Sequence, residues 1–186
     1  EHLAVIEVDA TGKGVAAILF DPGDASGVQR EAWTRWGAIE PELAPVLRVM
    51  TEFIDAWNDR DVERVRACVT EDQVLEDHRH AGLGRIEGVD AYLESTAALW
   101  DLAPDQIVSI SLSLPAIGPH GVLAVGRRTG CVDGGGEFES DYLWLGRIED
   151  GRVARQEWYE IDAPETALAR FEELRPDPST VPWNKA

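Results

Sequence analysis

Over residues 41–57 apolar side chains recur at spacings of three and four. Leu43, Val46, Leu47, Met50, Phe53, Ile54 and Trp57 fall on one stripe, which predicts an amphipathic helix. The run breaks at Asn58, and Asp61 stands where it would cap a second, short helix with Val62, Val65, Cys68 and Val69 as its apolar side. Residues 73–80 predict a first strand and 81–84 a loop. Gly88 opens a third helix with Val89, Tyr92, Leu93, Thr96, Leu99 and Trp100 on one face, and Pro104 ends it. The period then switches to two. Val108, Ile110, Leu112 and Leu114 alternate with Ser109, Ser111 and Ser113, the mark of a strand with one dry and one wet face. Residues 122–131, 138–148 and 152–161 predict three more strands, joined at the Asp133–Gly136 and Asp150–Gly151 turn signals. A terminal helix, striped by Leu168, Phe171 and Leu174, is expected to start at Asp162, with Glu165 completing a capping box. Helices and strands segregate along the chain, so the expected class is α+β.

The first forty residues repeat an arrangement found near the C-terminus. Residues 2–8 and 15–20 read as strands around the turn Asp9–Gly12, and Asp21-Pro22 leads into a helix near 28–36. Residues 142–171 run in the same order: strand, Asp/Gly turn, strand, Asp-plus-Pro helix start. The expected organisation is therefore a 1–40 hairpin-helix resembling the tail of a preceding similar module, a 41–175 domain, and an irregular 176–186 tail. On this reading the chain is a piece of a longer tandem protein. The hairpin must cover its apolar face on this domain or on a second copy, so a homodimer is expected.

Composition narrows the partners. Asp and Glu number 35 against 17 Lys and Arg, a net charge of -18, and such a field repels phosphate backbones and anionic lipid. No nucleic acid or membrane partner is expected. No apolar run approaches the roughly 20 residues of a membrane span, and no leader is visible. Two cysteines, Cys68 and Cys131, make no disulfide framework, which suits a reducing cytoplasm.

The run Phe53-Ile-Asp-Ala-Trp-Asn-Asp-Arg-Asp-Val-Glu-Arg-Val, the strand Val74-Leu75-Glu76-Asp77-His78, the lead Gly84–Gly88 and the final Gln156-Glu157-Trp158-Tyr159 together resemble the SnoaL-like and ketosteroid-isomerase-like domains of the nuclear-transport-factor-2-like superfamily. The resemblance implies a cone: a curved antiparallel sheet closed by the three N-terminal helices, with the hairpin-helix as an extra. It also implies an apolar cavity in which one or two acids act without cofactor or metal. The isomerases' general base maps to Asp77, whose burial is expected to raise its pKa toward a useful range. Their tyrosine maps to Phe53, which donates nothing to an oxyanion and counts against steroid isomerisation. Their second acid maps to Leu143, with Asp141 two residues away as a substitute. His78 and Arg79 are candidate partners of Asp77: a His for the Asp–His pair of the cyclases, an Arg for the Asp–Arg–Asp set of epoxide hydrolases. Alternation puts Arg79 on the face of Asp77 and His78 on the other.

Phe53, Trp57, Leu75, Trp100, Leu143, Trp158 and Tyr159 are the expected lining for a small apolar, cyclic ligand, with Tyr92 and Trp144 as further aromatic candidates. A metal alternative uses Glu76, His78 and His80, which alternate along one face. Two functions remain open: a cofactor-independent isomerase, cyclase, dehydratase or epoxide hydrolase, or a non-catalytic ligand-sensing or dimerisation module.

Overall fold

The computed structural model describes residues 2–111, 114–132 and 134–175. The expected irregular tail, and Leu112, Ser113 and Asp133, lie outside them. The chain opens with a hairpin, β1 (Leu3–Val8) and β2 (Gly14–Phe20), paired antiparallel as a two-stranded sheet of its own. Asp9 holds its turn, accepting the Thr11 and Lys13 amides at 2.9 and 3.0 Å. Helix α1 (Ala25–Ile39) follows, capped by Asp24 through the Gly27 amide at 2.8 Å. Trp33 of α1 is buried in the main core, and Arg35 pairs with Glu7 of β1 at 2.5 Å. One face of the hairpin stays open: Ile6, Val8, Val15 and Leu19 are more than half exposed.

Helix α2 (Ala44–Asn58) buries the expected stripe from Val46 to Trp57. Asp61 caps α3 (Val62–Cys68) through the Arg64 amide at 3.0 Å. Strand β3 (Val69–Asp77) starts earlier than expected. The end of the expected loop and the residues after it form a further strand, β4 (Gly84–Glu87), which pairs with residues 74–77 of β3. Helix α4 (Val89–Leu102) buries Val89, Tyr92, Leu93, Thr96 and Trp100, the face read from its spacing apart from Leu99.

The rest is a meander of β5 (Ile107–Ile110), β6 (Ala116–Gly118), β7 (Gly121–Cys131), β8 (Glu137–Glu149) and β9 (Arg152–Glu160). It ends in α5 (Pro164–Glu173). That helix does not start on the expected Asp162 cap. Its N-cap is Ala163, without a side-chain bond, and Pro164 in the first turn supplies a helical φ instead. The seven-stranded sheet runs β4-β3-β9-β8-β7-β5, with β6 beside β7. It is mixed rather than wholly antiparallel, because β3 lies parallel to β9. A parallel neighbour needs a long return connection, and most of the domain lies between these two strands.

The sheet has two covered faces. Its inner face packs with α2 and α4 on the main core, and its outer face carries Leu123, Leu143, Leu145 and Tyr159 against Ala167 and Phe171 of α5. The fold is an α+β cone with an added N-terminal hairpin-helix.

Candidate functional site

The cavity in the cone is lined by Phe53, Ile54 and Trp57 of α2, Tyr92 of α4, and Val108 and Ile110 of β5. Arg128, Tyr142, Trp144, Gln156 and Trp158 of the inner sheet face complete it. Two glycines make room for its rings. A Cβ on Gly146 would come 2.4 Å from the Trp144 indole, and one on Gly126 would come 2.7 Å from the Tyr142 ring. Trp144 therefore lies flat enough to stack on Phe53, centroids 6.1 Å apart at 16°, while its Nε1 donates to Gln156 Oε1 at 2.9 Å. Tyr92 is wholly enclosed, and burial pushes its phenol up to about 12 against the pull of neighbouring Gln156 and Thr96. The open space between these side chains is about 20 Å³, room for about one water. An apolar cavity of roughly 150 Å³ accepts a benzene-sized molecule. The cone as it stands is nearly filled by its own side chains, so a ligand of one or two rings enters only if lining groups such as Arg128 move aside.

Arg128 enters this apolar space from β7. It is 8% exposed, and its guanidinium lies 4.4 Å from the Trp158 ring centroid, 5.4 Å from Trp57 and 5.5 Å from Tyr142. Its Nε has no hydrogen-bond partner. Its neighbour Arg127 faces outward and pairs with Asp141 instead.

Asp77 lies on the inner face, aligned with Trp158 in the parallel pair, and its carboxylate has no exposed area. Arg79 grips it with Nε and Nη2, both at 2.8 Å, and the Leu83 amide donates at 2.9 Å. Burial alone pushes this carboxyl up, as expected. The Arg79 hydrogen bonds, the Leu83 amide and the Arg79 charge outweigh it, and the net pKa is lowered rather than raised. The same guanidinium sits 5.0 Å from the Trp158 centroid and 5.2 Å from that of Tyr142. Asp77 and Arg79 therefore come together as the spacing suggested, already joined in a bidentate pair.

The other candidates divide between the two faces. Phe53, Trp57 and Trp158 line the cavity. Leu75 and Trp100 are buried in the core behind it, with Trp100 packed edge-on against Trp57 at 5.6 Å. Leu143 and Tyr159 do not reach the cone. They lie on the outer face under α5, because the apolar residues of β8 and β9 occupy both parities. Asp141 shares that outward parity and is held by Arg127 at 2.7 Å, so it does not join Asp77 and Arg79. His78 is outside as well, stacked on Tyr159 with centroids 4.6 Å apart and 3.4 Å from Glu157.

On that outer face Glu76, His78 and Glu157 bring one ligand atom each within 4.8 Å of one another. His80, the third member expected for a metal, turns instead to Glu160 at 3.0 Å. The carboxylates are already occupied: Glu76 by Arg85 and Arg155, and Glu157 by Arg155, Arg170 and the Tyr159 hydroxyl. Burial pushes Glu157 up, and these hydrogen bonds outweigh it and leave its pKa lowered. A divalent cation placed there would face three guanidiniums. The cluster is an ionic network that fastens α5 to the sheet.

Sequence reasoning missed Arg128, Tyr142 and Gln156, while Trp144 and Tyr92, further aromatic candidates, do line the cavity. A clue existed in Val122, Ala124, Gly126 and Arg128, a same-face series of small residues ending in a charge. It points inward only once the outer face is known to be covered too.

The sequence profile of SnoaL-like domains matches residues 50–156, over half of the chain. No curated protein sequence matches it. Among solved structures, a candidate SnoaL-like polyketide cyclase from Jannaschia sp. is 19% identical, with TM-score 0.56, over 69% of this chain and 94% of its own. A Mycobacterium tuberculosis protein in complex with estradiol-17β-hemisuccinate is 17% identical, with TM-score 0.53, over 63% and 95%. A protein of ketosteroid-isomerase-like fold from Catenulispora acidiphila, in complex with trimethylamine, is 15% identical, with TM-score 0.53, over 64% and 90%. At these identities the likeness is one of fold. No described helix is long and apolar enough to cross a membrane.

Proposed function

The chain belongs to the SnoaL-like domain family, and on that premise we propose that it binds a small planar ligand of one or two fused rings inside the cone. The observation that carries this reading is the cavity wall itself: six aromatic and three aliphatic side chains around two polar groups, Arg128 and Gln156. Sites for small organic molecules are built this way, mostly apolar with a few placed polar groups. Small molecules bound to neighbours of the same fold support it.

Binding is favoured over turnover at Asp77 by one observation. A general base needs a free lone pair and a pKa near the working pH, whereas both Asp77 oxygens already accept hydrogen bonds and its proton affinity is depressed. The Asp–Arg–Asp set for water activation is not assembled either, with Asp141 on the far side of the sheet. In this reading Asp77 positions Arg79 at the rim of the aromatic wall.

The test is a melting series with neutral bicyclic compounds such as 2-naphthamide, on the wild type and on Val108→Trp, which fills the cavity. Ligand at 100 times Kd stabilises by about 2.7 kcal/mol, a shift of several degrees for a protein of this size. The wild type is expected to shift and Val108→Trp is not. No shift from any one- or two-ring compound would sink the proposal.

A second reading, pairing of two copies through the N-terminal hairpin, rests on the exposed apolar face of Ile6, Val8, Val15 and Leu19. Light scattering on the wild type and on Ile6→Lys/Leu19→Lys tests it. A wild-type mass equal to one chain at all concentrations rules it out.

A further inference from the structure

Arg128 is the residue that a purely apolar ligand leaves unexplained. A guanidinium removed from water costs several kcal/mol unless it is paired, and arginine cannot shed its proton to escape that cost. Other half-buried arginines have acceptors: Arg79 pairs with Asp77, Arg155 with Glu76 and Glu157, Arg170 with Glu157, and Arg60, whose Nε is also unpartnered, gives its Nη atoms to the backbone carbonyls of Asn58, Pro104 and Gln106. No carboxylate among the described residues reaches Arg128 within ion-pair distance, its Nε is an orphan donor, and it is more than nine-tenths buried. The nearby Trp158 Nε1 is likewise a buried donor without an acceptor. Contacts with the faces of Trp57, Tyr142 and Trp158 recover part of the cost. They supply no acceptor for its N–H groups.

The charge count inside the cone agrees. Asp77 and Arg79 cancel, and Arg128 leaves the interior net positive in a chain of net charge -18. The donors in this space outnumber the acceptors, since Gln156 Oε1 is already engaged by Trp144.

Resting on the binding reading above, we propose that the ligand is an aromatic or enolic anion. Its planar ring stacks among Trp57, Trp144 and Trp158, and its carboxylate, phenolate or enolate oxygen is received by the Arg128 guanidinium. A carboxylate matches the fork of donors that arginine presents. Binding an anion cancels the buried charge, so the free energy held in the unpaired guanidinium becomes selectivity for charged over neutral rings.

The experiment compares 2-naphthoate with its neutral isostere 2-naphthamide by quenching of tryptophan fluorescence, on wild type, Arg128→Met and Arg128→Lys. In the wild type naphthoate is expected to bind at least tenfold tighter than naphthamide. Arg128→Met binds naphthoate no tighter than naphthamide. Arg128→Lys retains a reduced preference, because a point charge replaces the fork. Far-ultraviolet circular dichroism and a cooperative urea transition report that the variants are folded. Equal affinities in the wild type, or a naphthoate preference that survives in Arg128→Met, overturn this proposal and leave the ring-binding reading standing. If neither compound binds the wild type, both readings fall.

Discussion

Replacing Asp77 by asparagine isolates what the inner-face ion pair contributes. The substitution keeps the shape, removes the charge and returns at most one of the two acceptor oxygens. The lost contacts are the 2.8 Å bonds from Arg79 Nε and Nη2, the 2.9 Å bond from the Leu83 amide, and the attraction to a guanidinium that is itself 17% exposed. Removing one member of a buried pair costs about 3–5 kcal/mol. The residual exposure of Arg79 and its stacking on Tyr142 and Trp158 put the expected loss near the lower end, about 3 kcal/mol, out of a total stability of about 5–15 kcal/mol. At roughly 2–4 °C per kcal/mol for a chain of this length, the melt falls by about 6–12 °C. Urea unfolding at pH 7, read by tryptophan fluorescence, gives the value. Asp77→Asn/Arg79→Met should recover most of it, because the unpaired guanidinium goes too.

The pH dependence follows from the sign of the shift. The folded pKa of Asp77 is lowered, so its contribution is present above the unfolded value of about 3.9 and is lost as pH falls through the folded value. The gap between wild type and Asp77→Asn should narrow below about pH 4. A change within about 0.5 kcal/mol at pH 7 would refute the reasoning and return Asp77 to candidacy as a free carboxylate.

Three further outcomes are expected. Gly146→Ala drives a methyl to within 2.4 Å of the Trp144 indole, so the ring must turn, at about 1–3 kcal/mol; wild-type stability and an unchanged near-ultraviolet tryptophan signal would contradict this. Gln73 is fully buried with both amide atoms unpaired, so Gln73→Met is expected to leave the midpoint in urea unchanged or raise it by about 1 kcal/mol; a loss larger than that would mean the amide has a partner such as a buried water. Arg170→Met removes one of the cations around Glu157, and limited proteolysis should then cut first at α5; cleavage at the wild-type sites and rate would show that the apolar contacts of Phe171 alone hold the helix.

Much of this was legible in the chain. The stripes of α2 and α4 and the Asp61 cap follow from local spacing, and local spacing suffices where one face is buried and the other wet. The strands of the meander defeat the same rule. Tyr142-Leu143-Trp144-Leu145 is apolar at every position because α5 covers one side and the cone lies on the other, so nothing in the run says which parity points inward. Leu143 and Tyr159 were placed in the cavity for that reason, Trp144 was one aromatic candidate among several, and Tyr142 was not placed there. Asp77 and Arg79 were paired from their spacing. The direction of the Asp77 shift was not readable, since it turns on the Leu83 amide and the two Arg79 bonds, which depend on how the 79–83 loop folds back. Arg128 was invisible because its depth is set by neighbouring strands far away in sequence.

The N-terminal hairpin stands apart from the seven-stranded sheet, tied down mainly through α1, and Ile54, Val108 and Ile110 line both the cone and the groove beneath α1. A two-stranded ribbon is only marginally stable by itself. In deuterated water the molecule should therefore behave as two units. The amides of β1 and β2 exchange through local opening within a short time, while those of β7, β8 and β9 exchange only through global unfolding. Because one aliphatic wall serves both compartments, a ring compound held in the cone should slow exchange in the ribbon as well, although it touches no residue of it.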